Sequence, residues 1–132
     1  PLAILYSSGT TGKPKCICHG TGGVLLQHNK ELQIHCDVKE NDRVFYFTTC
    51  GWMMWNWLVS GLASGATLIL YDVAPGFPDI GRMCNLIDEQ QISHFGTSPK
   101  FLGMVNKAGY SPKANHKLDS LRVILSTGKS LF

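Results

Sequence analysis

The sequence predicts an α/β fold built on a largely parallel sheet. Short β-rich apolar runs alternate with helical stretches along the 132-residue chain, the arrangement that βαβ crossovers require. No charged residue occurs over 44–71, 28 positions in a row, as expected of strands and a helix buried on both sides. Gly- and Ser/Thr-bearing loops follow four of the β runs, at 7–15, 48–52, 96–98 and 126–128. In open α/β sheets, ligands bind beyond the carboxyl ends of strands.

The elements follow in order. Leu2-Ala3-Ile4-Leu5-Tyr6 is an apolar run that reads as a buried strand. It opens into the loop 7–15, and 16–19 completes a second strand. The segment 20–36 reads as a helix, with Thr21 placed to cap it and Leu25, His28 and Leu32 recurring on one face. A polar connection over 38–42 leads into a β-rich run at 43–48. Thr48-Thr49-Cys50-Gly51 interrupts the uncharged stretch early, and Asn56, Ser60, Gly61, Ser64 and Gly65 dilute its centre. That punctuation reads as strand, helix and strand, all buried, although the length and the Gly61/Gly65 spacing imitate a membrane span. No membrane span is predicted.

A fresh β run at 67–71 is followed by a loop over 71–78. Pro78 and Asp79 suit a helix start, with Ile80, Met83, Cys84 and Ile87 along one stripe. The next strand is 92–96. Ser98-Pro99 caps a helix carrying Phe101, Leu102 and Val105 and ended by Gly109. A polar linker over 110–120 leads to the last strand, 122–125, which opens into Ser126-Thr127-Gly128.

Composition narrows the function. The chain is 44% hydrophobic, ordinary for a globular core, with a formal net charge of +3. Lysines and arginines are scattered without a basic run, which leaves nucleic-acid binding unsupported. Five cysteines (16, 18, 36, 50 and 84) are an odd number at irregular spacing. They read as reduced thiols of a cytosolic protein rather than a disulfide framework. Cys16-Ile17-Cys18-His19 lacks a second ligand pair at a recognised distance, so no metal site is expected. The chain begins Pro1-Leu2-Ala3, with neither a Met start nor a signal peptide, and reads as a piece of something longer.

The loop carries the chemistry. Tyr6-Ser7-Ser8-Gly9-Thr10-Thr11-Gly12-Lys13-Pro14-Lys15 places four hydroxyl residues and two glycines in six positions, then two lysines. Glycines let a backbone approach a polyphosphate, amides and hydroxyls donate to it, and ammonium groups balance its charge. Gly9 and Gly12-Lys13 are too close for a Walker loop. An ordinary Gly/Thr-rich hairpin turn is the plainer reading of the same composition.

The whole ten-residue string resembles the phosphate-binding signature of the adenylate-forming superfamily, which includes acyl-CoA synthetases, luciferases and peptide-synthetase adenylation domains. Ser7 stands where that signature usually has Thr, and the hydroxyl is kept. The run Gly51-Trp52-Met53-Met54-Trp55-Asn56-Trp57 and the following 60–66 are similar to the branch of acid–thiol ligases that acts on acetoacetate. The resemblance covers nearly the whole chain, weakening over the last four residues.

It implies that residues 1–132 are part of the large N-terminal domain of an adenylate-forming enzyme, without the C-terminal lid. Ser7, Ser8, Gly9, Thr10, Thr11, Gly12 and Lys15 match the loop around the β- and γ-phosphates of ATP. Gly51, Trp52, Met53 and Met54 match the lining of the acyl pocket and the adjoining pantetheine channel. Gly128 falls where an adenine-contacting Gly-x-Pro turn begins, but Lys129-Ser130-Leu131-Phe132 follows instead. Gly128-Lys129-Ser130 imitates the tail of a Walker loop, yet the earlier Gly it needs is Val123. The implied substrates are ATP with Mg2+, acetoacetate and coenzyme A, with no tightly bound cofactor. No catalytic residue is expected within these residues, because the lid lysine and the magnesium-binding acid of the family lie downstream of the matched motifs. The chain alone is therefore expected not to form an acyl-adenylate. A non-catalytic module that binds a nucleotide weakly, or binds a partner, is the alternative.

Overall fold

The computed structural model describes residues 1–7 and 12–128. Strands β1 (Ala3–Tyr6) and β2 (Cys16–His19) pair antiparallel as a two-stranded ribbon, in register from Ala3 opposite His19 to Tyr6 opposite Cys16. The remaining strands, β3 (Arg43–Tyr46), β4 (Thr67–Ile69), β5 (His94–Thr97) and β6 (Val123–Ser126), form a parallel sheet in the order β4-β3-β5-β6. The α/β class and the parallel sheet are as the sequence predicts. The first strand is not: it stands outside the main sheet, and Ile4 and Tyr6 are 52% and 71% exposed. An isolated ribbon leaves one face uncovered, so the apolar run is not buried as expected.

Alternation along β3 builds two layers. Val44 and Tyr46 join Leu32, Val38, Trp57 and Leu58 in a core on one face of the sheet. Phe45, between them, packs with Met83, Leu86, Ile87, Phe95 and Phe101 on the other. Successive side chains of a strand point to opposite faces, so one four-residue strand serves both cores. Helix α2 (Met53–Ser60) and Leu32, just beyond α1 (Thr21–Asn29), cover the first face, while α3 (Arg82–Gln90) and α4 (Pro99–Lys107) supply the second.

Several boundaries differ from the sequence reading. The predicted helix over 20–36 is α1 followed by a π-helical segment, Lys30–His35. Gly20 rather than Thr21 is its N-cap, no side chain caps it, and Leu25 is exposed while His28 and Leu32 are buried. Helix α3 starts at Arg82, later than Pro78 and Asp79 suggest, because Asp79 Oδ1 accepts from the Gly81 amide at 2.8 Å and closes a turn first. The linker over 110–120 contains a short helix, α5 (Pro112–Asn115), with Tyr110 Oη 2.6 Å from His116 Nε2. Within 44–71, Trp52, Met53, Val59, Leu62 and Leu70 are exposed, so that stretch is only partly buried. Among the described residues no helix is long and apolar enough to cross a membrane. Ser98 caps α4 as predicted: its Oγ accepts from the Phe101 amide at 3.2 Å, with Pro99 at the first turn.

Candidate active site

The chain runs from β3 outward to β4, then returns to β5 on the other side of β3. That reversal puts a topological switch point between β3 and β5, where open α/β sheets bind ligands. Tyr46 closes β3 directly opposite Gly96 of β5, and its ring lies across the space a side chain at Gly96 would fill. The ring thereby reaches over β5 to β6, where Tyr46 Oη and Thr127 Oγ1 are 3.0 Å apart. Trp57 of α2 packs edge-on against the same ring at 6.0 Å.

Above this floor lies a cavity of about 490 Å³, walled by Met53, Met54, Asn56 and Trp57 of α2, by α1, by the ribbon and by the end of β6 through Thr127. Apolar surface dominates the α2 wall, with polar groups at intervals. On the α1 wall, His28 Nδ1 lies 2.8 Å from Ser60 Oγ, whose hydroxyl donates to the Asn56 carbonyl at 3.0 Å. Burial holds the His28 imidazole below its ordinary range. Burial likewise pushes the Cys36 thiol up, so this cavity residue is a neutral thiol and a poor nucleophile. Gln27 Nε2 donates to Glu31 Oε1 at 3.0 Å, and a hydrogen bond from Lys30 lowers the Glu31 carboxyl.

The sequence-predicted residues divide into four groups. Met53 and Met54 line the cavity together. Gly51 and Trp52 precede α2 and stay outside it, Trp52 being 58% exposed. Of the phosphate loop, Ser8, Gly9, Thr10 and Thr11 lie outside the described residues. Its two ends are tied to each other: the Ser7 amide donates to the Lys15 carbonyl at 2.9 Å, and Ser7 Oγ accepts from the Lys15 amide at 3.1 Å. Gly12 and Lys15 are exposed, and a Cβ at Gly12 would meet nothing within 4 Å. Gly128 has a φ of +111°, which favours glycine. Sequence reasoning did not single out Tyr46 or Thr127; the available signal was Thr127 standing in a strand-end loop. Among the described residues no three His, Cys, Asp or Glu side chains gather as a metal site.

The family model described as AMP-binding enzyme matches residues 1–131. The chain belongs to the AMP-binding enzyme family. Within that family it is 55% identical over 131 residues to an acetoacetyl-coenzyme A synthetase from Rhizobium meliloti, covering 99% of this chain and 20% of the relative. It is 44% identical to a malonamoyl-CoA synthetase from Penicillium aethiopicum, with the same coverage. The solved acetoacetyl-CoA synthetase from Streptomyces lividans superposes with a TM-score of 0.90 at 44% identity, covering 97% of this chain and 20% of that one. This AMP-binding family member thus spans about a fifth of the length of the relatives it matches.

Proposed function

We propose that the chain supplies the ATP phosphate loop and the acyl pocket of an acetoacetate–CoA ligase. The observation that carries this reading is the 55% identity to an acetoacetyl-coenzyme A synthetase sustained over 131 residues. The cavity supports it by bringing Met53 and Met54 together at the carboxyl ends of the strands. In the proposed reaction a carboxylate oxygen of acetoacetate attacks the α-phosphorus of ATP, and the bond to pyrophosphate breaks. The sulfur of coenzyme A then attacks the acyl carbon of the adenylate, and AMP leaves.

Each part of the chain has a task in that sequence. Ser7, Ser8, Gly9, Thr10, Thr11, Gly12 and Lys15 hold the outer phosphates, where negative charge accumulates as pyrophosphate departs. Backbone pairing of Ser7 with Lys15 closes the loop at its base. Met53 and Met54 shape an apolar acyl pocket, since unbranched thioether side chains fill space without polar demands. The cavity is much larger than a four-carbon acyl group and leaves room for the pantetheine arm, with Gly51 and Trp52 near its approach. Gly128 sits at the adenine end. Magnesium arrives with ATP as part of the substrate. The lysine for the α-phosphoryl group and the acidic segments belong, in this reading, to further stretches of a longer protein, as does the lid domain; the cytosol is the compartment.

Acetoacetate-dependent exchange of labelled pyrophosphate into ATP by the full-length enzyme tests the reaction. Lys15→Ala in that enzyme tests the loop. Its side chain is exposed, so replacement should cost little stability. Adenylation should slow by about 10–100-fold, the worth of one charge-assisted contact. Thiolation from supplied acyl-adenylate should suffer far less, because pyrophosphate has already gone. No exchange with acetoacetate overturns the ligase reading, and equal loss in both half-reactions overturns the role of Lys15.

A further inference from the structure

We propose that Asn56 determines the choice of acyl group, its side-chain amide donating a hydrogen bond to a carbonyl at C3 of the carboxylic acid. This deepens the ligase reading and rests on it. Positions 53, 56, 57 and 60 share one face of α2. Asn56 therefore stands one turn beyond Met53 along the cavity wall, about 4.5 Å farther along the helix axis.

The other polar groups on the α2 and β6 walls are already engaged or out of reach. Tyr46 Oη and Thr127 Oγ1 hold each other at 3.0 Å. Ser60 Oγ is shared between His28 and the Asn56 carbonyl. Ser126 Oγ is buried without a partner and presents no surface to the cavity. Asn56 is half-buried and lines the cavity, and its side-chain amide has no hydrogen bond among the described residues. Its backbone, meanwhile, is fixed by the Ser60 hydroxyl and, through it, by His28 on α1. A held backbone with an unengaged amide, set among Met53, Met54 and Trp57, is a donor prepared for a ligand acceptor.

The chemistry of discrimination favours such a group. Apolar walls separate acids that differ by a methylene only weakly, whereas a buried polar group left unpaired by the wrong substrate separates them much better. Acetoacetate and malonamate, the acids implied by the names of two relatives, share a carbonyl at C3 and end in groups of similar size. Butyrate has the same carbon count and no oxygen there. The cavity therefore distinguishes 3-oxo acids from simple short-chain acids through Asn56.

The test is the ratio of kcat/KM for acetoacetate to that for butyrate, measured in one preparation of the full-length enzyme so that the active fraction cancels. Asn56→Leu should lower the ratio by about 10–100-fold, with malonamate falling alongside acetoacetate. The near-isosteric Asn56→Asp, which cannot donate when ionised, should lower the ratio in the same direction and serves if the leucine variant does not fold. Equal losses for both acids, an unmoved ratio, or a wild-type enzyme that uses butyrate as well as acetoacetate would each overturn the assignment. Wild-type enzyme with no acetoacetate-dependent pyrophosphate exchange would instead remove the ligase reading itself.

Discussion

Replacing Gly96 with alanine should damage the floor of the site more than any other single methyl group. A Cβ at Gly96 would lie 2.5 Å from Tyr46 Cγ and 2.6 Å from Cε2, well inside van der Waals contact. Neither partner yields easily. Gly96 is paired on both sides within the parallel sheet, and the Tyr46 ring is buried between Trp57 and the strands. Overpacking of this kind costs about 1–3 kcal/mol. Swinging the ring away also breaks the contact with Thr127, worth about 0.5–1.5 kcal/mol. Together the loss is about 1.5–4.5 kcal/mol, a large share of the roughly 5–15 kcal/mol that holds a domain folded. Urea unfolding followed by circular dichroism measures it, with Tyr46→Ala completing a double-mutant cycle. In the Tyr46→Ala background the alanine at 96 should cost far less, because the ring it collides with is gone. A Gly96→Ala midpoint within experimental error of the wild type, or strict additivity in the cycle, would refute the account of why this position is glycine.

Two further outcomes follow from the cavity. Met54→Gly in the full-length enzyme should admit longer carboxylates and weaken acetoacetate use, by about 1–3 kcal/mol per methylene accommodated; an unchanged preference across a chain-length series returns Met54 to plain packing. His28 supplies a pH dependence. Burial lowers its pKa in the folded state, so as pH falls through about 6.5 the unfolded chain takes up a proton that the folded chain refuses. Stability should therefore drop on the acid side of neutrality, and His28→Gln should flatten the drop between pH 7.5 and 5.5 in urea midpoints, an identical slope in both proteins counting against it.

What the sequence made legible was mostly local. The Ser98-Pro99 cap needs only two residues and the geometry of a helix start, and it appears as read. The β-rich run at 43–48 also emerged, because uncharged apolar residues at this density have few other ways to be buried. The stripe Met83, Cys84 and Ile87 marked the inner face of α3, though the Asp79 turn delayed the helix start. Exposure was less legible. Leu2-Ala3-Ile4-Leu5-Tyr6 has the composition of a buried strand, but pairing with β2 rather than with the main sheet leaves Ile4 and Tyr6 uncovered. In the site, Met53 and Met54 could be named in advance from a recognisable run. The Tyr46–Thr127 contact could not, since its partners are 81 residues apart and neither has a local motif. Asn56 looked like a residue that merely diluted an apolar helix until the cavity gave its face a direction.

The span of that Tyr46–Thr127 contact also bears on how the protein acquires its site. Local pieces such as the β1–β2 ribbon and the α3 helix need only short loop closures and can form early. The cavity is different: its floor runs from β3 across β5 to β6, and β3 meets β5 across 50 residues, Val44 to His94, against 29 from His94 to Val123. Contacts at long sequence separation carry the larger closure entropy and form late. A chain with its ribbon, helices and shorter-range strand pairs in place but β3 not yet joined to β5 would retain most of its secondary structure and lack the cavity floor. The pairing of β3 with β5 is thus also the step at which the floor of the cavity comes into being.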